Sequence, residues 1–341
     1  MSARSVEVHY YVHGRGRGHA SRARDVTRAL TERGVGFELF GGGDAADLLG
    51  RHPRWHGRAP LQPGVFAVPR LLGRTLHDAR ALGRRRPDAV ISDGDQPALC
   101  AARLLGVPSL AIGHDLALTL CDLPRAIRWD RRWHQRLNAL PMRLAERWVA
   151  VHFLPLSAAR PNLIVARPDC TEAALDPDAA PALPPDFVLC YFRDGDGEPV
   201  VRQLRAAGQR VVWFGPEASA AEGVSAFALN TPAFRHALVR CSAVVASAGS
   251  NLLAECVTFG KPMFALYRAR DSEQAINAQL AEAAGVAASA TLERLNQPQL
   301  THFLGRVRSG DFARHDLKAA LPPVSVAVAG ALLELLHAGN A

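Results

Sequence analysis

The stretch that most narrows the fold runs from Val244 to Val286. The apolar run Ala243–Ala246 has the length and composition of a buried parallel strand, and Gly249 and Ser250 break it. Helical spacing from Asn251 to Phe259 is closed by Gly260 and Pro262. A second strand (Met263–Tyr267), a polar loop (Arg268–Glu273) and a helix from Gln274 to the stop at Gly285 follow. Strand, glycine turn, helix, strand, loop, helix is the repeating unit of a parallel α/β sheet. It aims the N–H groups of a helix's first turn at the carboxyl edge of the sheet, where a phosphate or diphosphate is stabilised.

The same alternation opens the chain. Val6–Val12 reads as a strand that empties into His13-Gly-Arg-Gly-Arg-Gly-His19, followed by a helix over Ala20–Arg33 and a strand over Phe37–Phe40. Gly14, Gly16 and Gly18 let the backbone turn tightly and come close to a ligand. A dinucleotide fingerprint fails, because the spacing is not G-x-G-x-x-G and the second strand ends in three glycines rather than a ribose-binding acid. A P-loop fails for want of a following G-K-[ST]. Pro53–Pro69 reads as irregular, and Arg70–Arg86 as a basic helix. The buried strand Asp88–Ser92 carries Asp93-Gly94-Asp95 at its carboxyl end, the edge where doubly wound sheets hold ligands. Pro97–Leu105 reads as a helix, and the strand Ser109–Ile112 leads to His114 and Asp115 at the same edge.

Leu123–Trp148 carries an apolar stripe (Trp129, Trp133, Leu137, Leu140, Leu144, Trp148) at near-helical intervals, with arginines between and Pro141 as a kink. Such a face either packs on its own domain or seats the protein on an anionic membrane. Arg167–Pro185 is rich in Pro, Ala and Asp and reads as a linker. A second α/β set then opens with the strand Phe187–Phe192 and the loop Arg193–Gly197. The division expected is a domain over 1–170, a linker over 171–185 and a domain over 186–341.

Three separate elements carry a family resemblance. G-S-N-L-L-A-E (Gly249–Glu255), then F-G-K-P, then E-Q-A-I-N-A (Glu273–Ala278) resemble the donor-binding signature of GT-B glycosyltransferases. The likeness is to family 28, including the peptidoglycan N-acetylglucosaminyltransferase, and to the family 1 UDP-glycosyltransferases. G-R-G-R-G-H-A-S-R resembles the N-terminal glycine loop of the same enzymes, G-x-G-x-G-H-x-x-R. The resemblance implies two Rossmann-like doubly wound α/β domains facing a central cleft, with the last helix (Val324–Leu336) crossing back onto the N-terminal domain. It implies Glu255 on the donor ribose, and Glu273, Gln274 and Asn277 near the sugar. Gly16, Gly18, Gly249 and Asn251 would help bind the donor, with the helix opening near Ser250 at the diphosphate and Arg193 near the phosphates. Arg193 sits in R-D-G-D-G, a departure from the usual Gly/Ser-rich loop that brings two acids toward a diphosphate. His19 is implied as the general base and Asp93 as the carboxylate that orients it; a histidine suits the task because its charge changes near neutral pH.

Composition excludes several classes. The net charge of +8 invites a nucleic-acid reading, but only Lys261 and Lys318 are lysines, so 40 − 2 = 38 basic residues are arginine. These are dispersed and accompany no nucleic-acid motif, so no nucleic-acid partner is expected. Six cysteines are scattered and never spaced C-x-x-C, which indicates neither a metal site nor a disulfide framework. No run is long and apolar enough to span a bilayer, and the N-terminus lacks a secretion signal, so a cytoplasmic protein is expected, peripheral at the inner face of a membrane if the Arg/Trp segment 123–148 docks there.

The resulting expectation is an inverting, metal-independent glycosyltransferase with no cofactor. It would move a sugar from a nucleotide-diphosphate donor, a UDP-sugar, to a hydroxyl acceptor of the lipid-linked or cell-envelope kind. Two rivals keep the fold. In one, water replaces the acceptor, as in the nucleotide-sugar hydrolases of pseudaminic acid synthesis, which G-R-G-H-A-S-R also resembles. In the other, the chain binds a nucleotide sugar without turning it over.

Overall fold

A computed structural model describes residues 6–14, 17–59, 67–124, 127, 133, 136, 139–170, 181–192, 195, 197–228 and 231–338. The chain divides into a first unit (Met1–Leu123, Arg132–Asp169 and Lys318–Ala341) and a second (Pro124–Arg131 and Cys170–Leu317).

The first unit is built on seven parallel strands: β1 (Glu7–Val12), β2 (Gly36–Gly41), β3 (Trp55–Gly57), β4 (Ala89–Asp93), β5 (Ser109–Gly113), β6 (Arg147–Val151) and β7 (Leu163–Ala166). Their order is β3-β2-β1-β4-β5-β6-β7, and every pairing is parallel. β4 and β5 are buried at every residue, as strands covered on both faces must be. The helices are α1 (Arg17–Glu32), α2 (Asp44–Leu49), α3 (Ala67–Arg84), α4 (Gln96–Leu105) and α5 (His114–Leu120). Strand order reverses between β1 and β4, so the segments after those two strands meet at a topological switch point.

The second unit repeats the plan with β8 (Phe187–Tyr191), β9 (Arg210–Phe214), β10 (Val224–Phe227), β11 (Ala243–Ser247), β12 (Met263–Tyr267) and β13 (Ala287–Thr291), ordered β10-β9-β8-β11-β12-β13 and all parallel. Its helices are α6 (Gly197–Ala206), α7 (Thr231–Arg240), α8 (Ser250–Thr258), α9 (Ser272–Ala283) and α10 (Gln297–Ser309), followed by a short turn of helix, α11 (Leu317–Ala320), at its boundary. A capping box between Asn296 and Gln299 starts α10.

The last helix, α12 (Val324–Ala338), belongs to the first unit. Val324, Val328, Leu332 and Leu335 join the core formed by Val8, Tyr10, Val26 and Leu30. Its first turn is held by Asp169, which accepts from Ser325 N at 2.9 Å and from Ser325 Oγ at 2.7 Å.

Two sequence expectations need correction. Pro53–Pro69 is not wholly irregular: β3 pairs with β2 there, and the Trp55 ring lies over Gly41, where any Cβ would fall 2.7 Å from Cη2. The stripe over 123–148 does not end as a helix. Pro141–Leu144 forms one 3-10 turn, and Trp148 belongs to β6, buried with its indole donating to Met142 O at 3.0 Å. Trp129 and Leu137, with much of the stretch between residues 125 and 138, lie outside the described residues. Among the described residues no helix is long and apolar enough to cross a membrane.

Candidate active site

In the first unit, β1 stops at Val12, opposite Asp93 at the end of β4. His13 N donates to Asp93 O at 2.9 Å, which ties the glycine loop to the sheet edge. The α1 helix carries Gly18 and His19 in its first turn and Arg22 one turn later, so both His19 and Arg22 reach the same carboxylate. Asp93 has no exposed surface. Its Oδ1 lies 2.6 Å from His19 Nδ1 and 2.5 Å from Arg22 Nη2, while Oδ2 accepts from Arg22 Nε at 2.7 Å and Tyr10 Oη at 3.4 Å. Four donors for two carboxylate oxygens satisfy the acceptor capacity of the group.

That arrangement fixes a charge and a tautomer. Burial alone would push the Asp93 carboxyl up, but the Arg22 guanidinium, then His19, and their hydrogen bonds hold it well below the usual carboxylate range. An ionised carboxylate can only accept, and a guanidinium can only donate. His19 Nδ1 faces both, at 2.6 and 3.0 Å. A bare Nδ1 would set its lone pair against Asp93 at the shorter distance, so Nδ1 carries the proton and donates. Nε2 is then left as the basic nitrogen. Burial also raises Tyr10 well above its ordinary value, so it remains a neutral donor.

Two neighbours confine the imidazole. The His13 ring packs edge-on at 5.2 Å between centroids, and burial, then the proximity of His19, lower the His13 pKa. Gly94 has φ +72°, and a Cβ there would lie 3.1 Å from His19 Cε1 and 3.2 Å from His13 Cβ. Beside this group, Arg58 bridges Asp78 at 2.5 Å and Asp95 at 3.3 Å, with its guanidinium 4.8 Å over the Tyr11 ring. Asp95 also caps α4 through Ala98 N. His114 is buried, with Nδ1 3.0 Å from Val151 O and its ring stacked on His152.

In the second unit, the turn Ala248–Gly249 joins β11 to α8, and no side chain caps the helix. The first N–H groups of Ser250 and Asn251 therefore face outward at the carboxyl edge of the sheet. Asn251 and Glu255 share one face of α8, four residues apart and both half-buried. Burial pushes the Glu255 carboxyl up to about 7, against the opposing charge of Arg235. The α9 helix follows the neighbouring strand, β12, so Glu273 and Gln274 in its first turn lie at the same edge. Asp271 caps that helix through Gln274 N at 3.0 Å.

Asn277 differs from the rest. It is fully buried and donates through Nδ2 to Ala248 O at 3.2 Å, so it secures the β11–α8 turn. Gly16 and Arg193 lie outside the described residues. Sequence reasoning assigned no role to Tyr10, Arg22, Gly94 or Arg58. For Arg22 the signal was present, since its spacing of three from His19 places both on one helical face.

A family profile described as Glycosyl transferase family 1 matches residues 73–308. Among solved structures, the glycotransferase of kitacinnamycin superposes with a TM-score of 0.68 at 16% identity, over 98% of this chain and 100% of that one. Acinetobacter baumannii MurG superposes with a TM-score of 0.63 at 16% identity, over 97% and 99%. Medicago truncatula UGT71G1, solved with UDP-glucose, superposes with a TM-score of 0.66 at 12% identity, over 98% of each chain. No curated protein sequence matches the chain. At these identities the structural likenesses establish the fold, which is that of GT-B glycosyltransferases.

Proposed function

The chain belongs to glycosyl transferase family 1, and from that premise we propose that it moves a sugar, with inversion, from a UDP-sugar to a hydroxyl acceptor. The observation that carries the proposal is the 2.6 Å contact between His19 Nδ1 and Asp93 Oδ1, which leaves Nε2 as the base. In the proposed step the acceptor hydroxyl gives its proton to Nε2, and its oxygen bonds to the anomeric carbon. The bond from that carbon to the diphosphate oxygen breaks, and UDP leaves with the electron pair. Asp93 stabilises the imidazolium that forms.

The second unit would hold the donor. The uncapped start of α8 supplies N–H groups for the departing diphosphate, a role that a metal fills elsewhere, so the proposed route assigns no work to a metal or cofactor. Glu255 would accept hydrogen bonds from the ribose hydroxyls, and Glu273 and Gln274 would meet the sugar. Uridine is proposed because UGT71G1, which shares the fold, was solved with UDP-glucose.

The experiment is UDP release from a panel of UDP-sugars, with and without alcohol acceptors, by wild type and the His19→Ala and Glu255→Ala variants. Acceptor-dependent release, abolished in His19→Ala, supports transfer; Glu255→Ala should weaken donor binding about tenfold or more. Equal release without any acceptor would make the chain a hydrolase. Binding without turnover by wild type would make it a nucleotide-sugar binder.

A further inference from the structure

Arg22 is a buried cation at the His19 site, and its geometry exceeds what a structural ion pair requires. Its guanidinium spans both oxygens of Asp93, Nε to Oδ2 at 2.7 Å and Nη2 to Oδ1 at 2.5 Å. The same Nη2 comes within 3.0 Å of His19 Nδ1. A bidentate guanidinium fixes the plane of a carboxylate as well as its charge. Once that plane is fixed, Oδ1 can accept from His19 in one direction only. The imidazole is thus aimed by a residue on its own helix, acting through a residue on β4.

We propose that Arg22 is a positioning residue for the base, which orients His19 through Asp93 and moderates how readily the imidazole takes a proton. The proposal rests on His19 being the base in the transferase reading. Two charges compete for the imidazolium: Asp93, at 2.6 Å, favours it and Arg22, at 3.0 Å, opposes it. The other groups facing this cluster are His13 from the glycine loop and Tyr10 from β1, with Asp95 and Asp115 acting on His13 across the sheet edge, and Asp25 on Tyr10 from α1. None of these touches Nδ1.

The test is a histidine titration by nuclear magnetic resonance on 15N-histidine-labelled full-length chain, with His19 assigned by its loss in His19→Gln. Wild type should show the Nδ1–H tautomer when neutral. In Arg22→Met the protonation midpoint of His19 should rise by about one pH unit. Arg22→Lys keeps the charge and should return most of that shift, while its single-point contact lets the Nε2–H tautomer appear. An unchanged midpoint in Arg22→Met, or a wild type dominated by Nε2–H, overturns the proposal. Should Arg22→Met fail to fold, the wild-type tautomer and the tautomer of Arg22→Lys decide it: the Nε2–H form appearing in Arg22→Lys supports the proposal, and its absence there overturns it. The titration uses no substrate, so its failure and the failure of the transferase reading appear in different measurements.

Discussion

The Asp93 carboxylate meets His19 Nδ1 at 2.6 Å while Arg22 spans both of its oxygens, so one buried acid fixes the tautomer of the histidine and, in the proposed mechanism, stabilises its charged form. Asp93→Asn removes the charge and presents an amide that cannot satisfy Arg22 and His19 together. Turnover should fall about 10³- to 10⁴-fold, by analogy with the loss of a triad aspartate. Stability should fall by about 3 kcal/mol, since the Arg22 charge is left buried without its partner. Asp93 is depressed in the fold, so the stability it contributes is present above its unfolded value of 3.8 and is lost as pH falls below it. Urea unfolding of wild type and Asp93→Asn from about pH 6 to about pH 2 should therefore show a constant gap down to about pH 4 and a narrowing gap below it.

Gly94 is required twice, by its φ of +72° and by the 3.1 Å that a Cβ would leave to His19 Cε1. Gly94→Ala should cost about 1 kcal/mol or more in stability. Because the new methyl pushes on the imidazole, turnover should drop about tenfold or more beyond that, with donor affinity unchanged. Equal turnover per folded molecule would show that His19 tolerates displacement.

Glu255 offers a test in which function and stability part company. Its carboxyl sits at about 7 rather than 4.5 because burial penalises the charge. The folded chain then binds this proton more tightly than the unfolded chain, so Glu255 costs stability progressively as pH rises from 4.5 to about 7. The full interval corresponds to about 3 kcal/mol. Glu255→Gln should match wild type near pH 4, exceed it in thermal stability at pH 8, and bind UDP-sugar more weakly throughout. A constant difference in melting temperature across that range would show that Glu255 is not desolvated in the folded chain.

Gly249 stands in the opposite position to Gly94. Its φ of −71° suits any residue, and a Cβ there meets nothing within 4 Å. The fold therefore does not demand glycine, whereas the proposed diphosphate at the start of α8 would. Gly249→Ala should change stability by less than about 0.5 kcal/mol. It should weaken UDP-sugar binding about tenfold, as calorimetry would show.

Much of this architecture is legible in the sequence because parallel strands buried on both faces must be continuous apolar runs. Ala243–Ser247 and Met263–Tyr267 therefore declare themselves, and Gly249 after the first marks its turn. β3, β10 and β13 are only three to five residues long, and β13 (AASAT) carries little apolar signal, so tertiary pairing supplies what local pattern lacks. Trp148 was misread for a related reason: arginines around a tryptophan imitate an amphipathic helix, while the neighbouring strands β5 and β7 claim it. His19, Asp93 and Glu255 could be picked out through motif resemblance. Tyr10 and Gly94 could not, since their roles depend on a carboxylate 83 residues from Tyr10 and on a distance across the sheet edge; Arg22 stands at the last position of the G-x-G-x-G-H-x-x-R motif, but its role depends on a carboxylate 71 residues away. Asn277 shows the converse, a motif residue whose amide secures the backbone turn at Ala248.

The central claim is a single displacement driven by His19, and the configuration of the first product tests it most directly. With an α-linked UDP-sugar that supports acceptor-dependent UDP release, proton NMR of the product should show the β-anomer from wild type. His19→Ala should produce at least 10²-fold less of it, the usual scale of a general base. An α-linked product, or undiminished transfer by His19→Ala, would contradict the account.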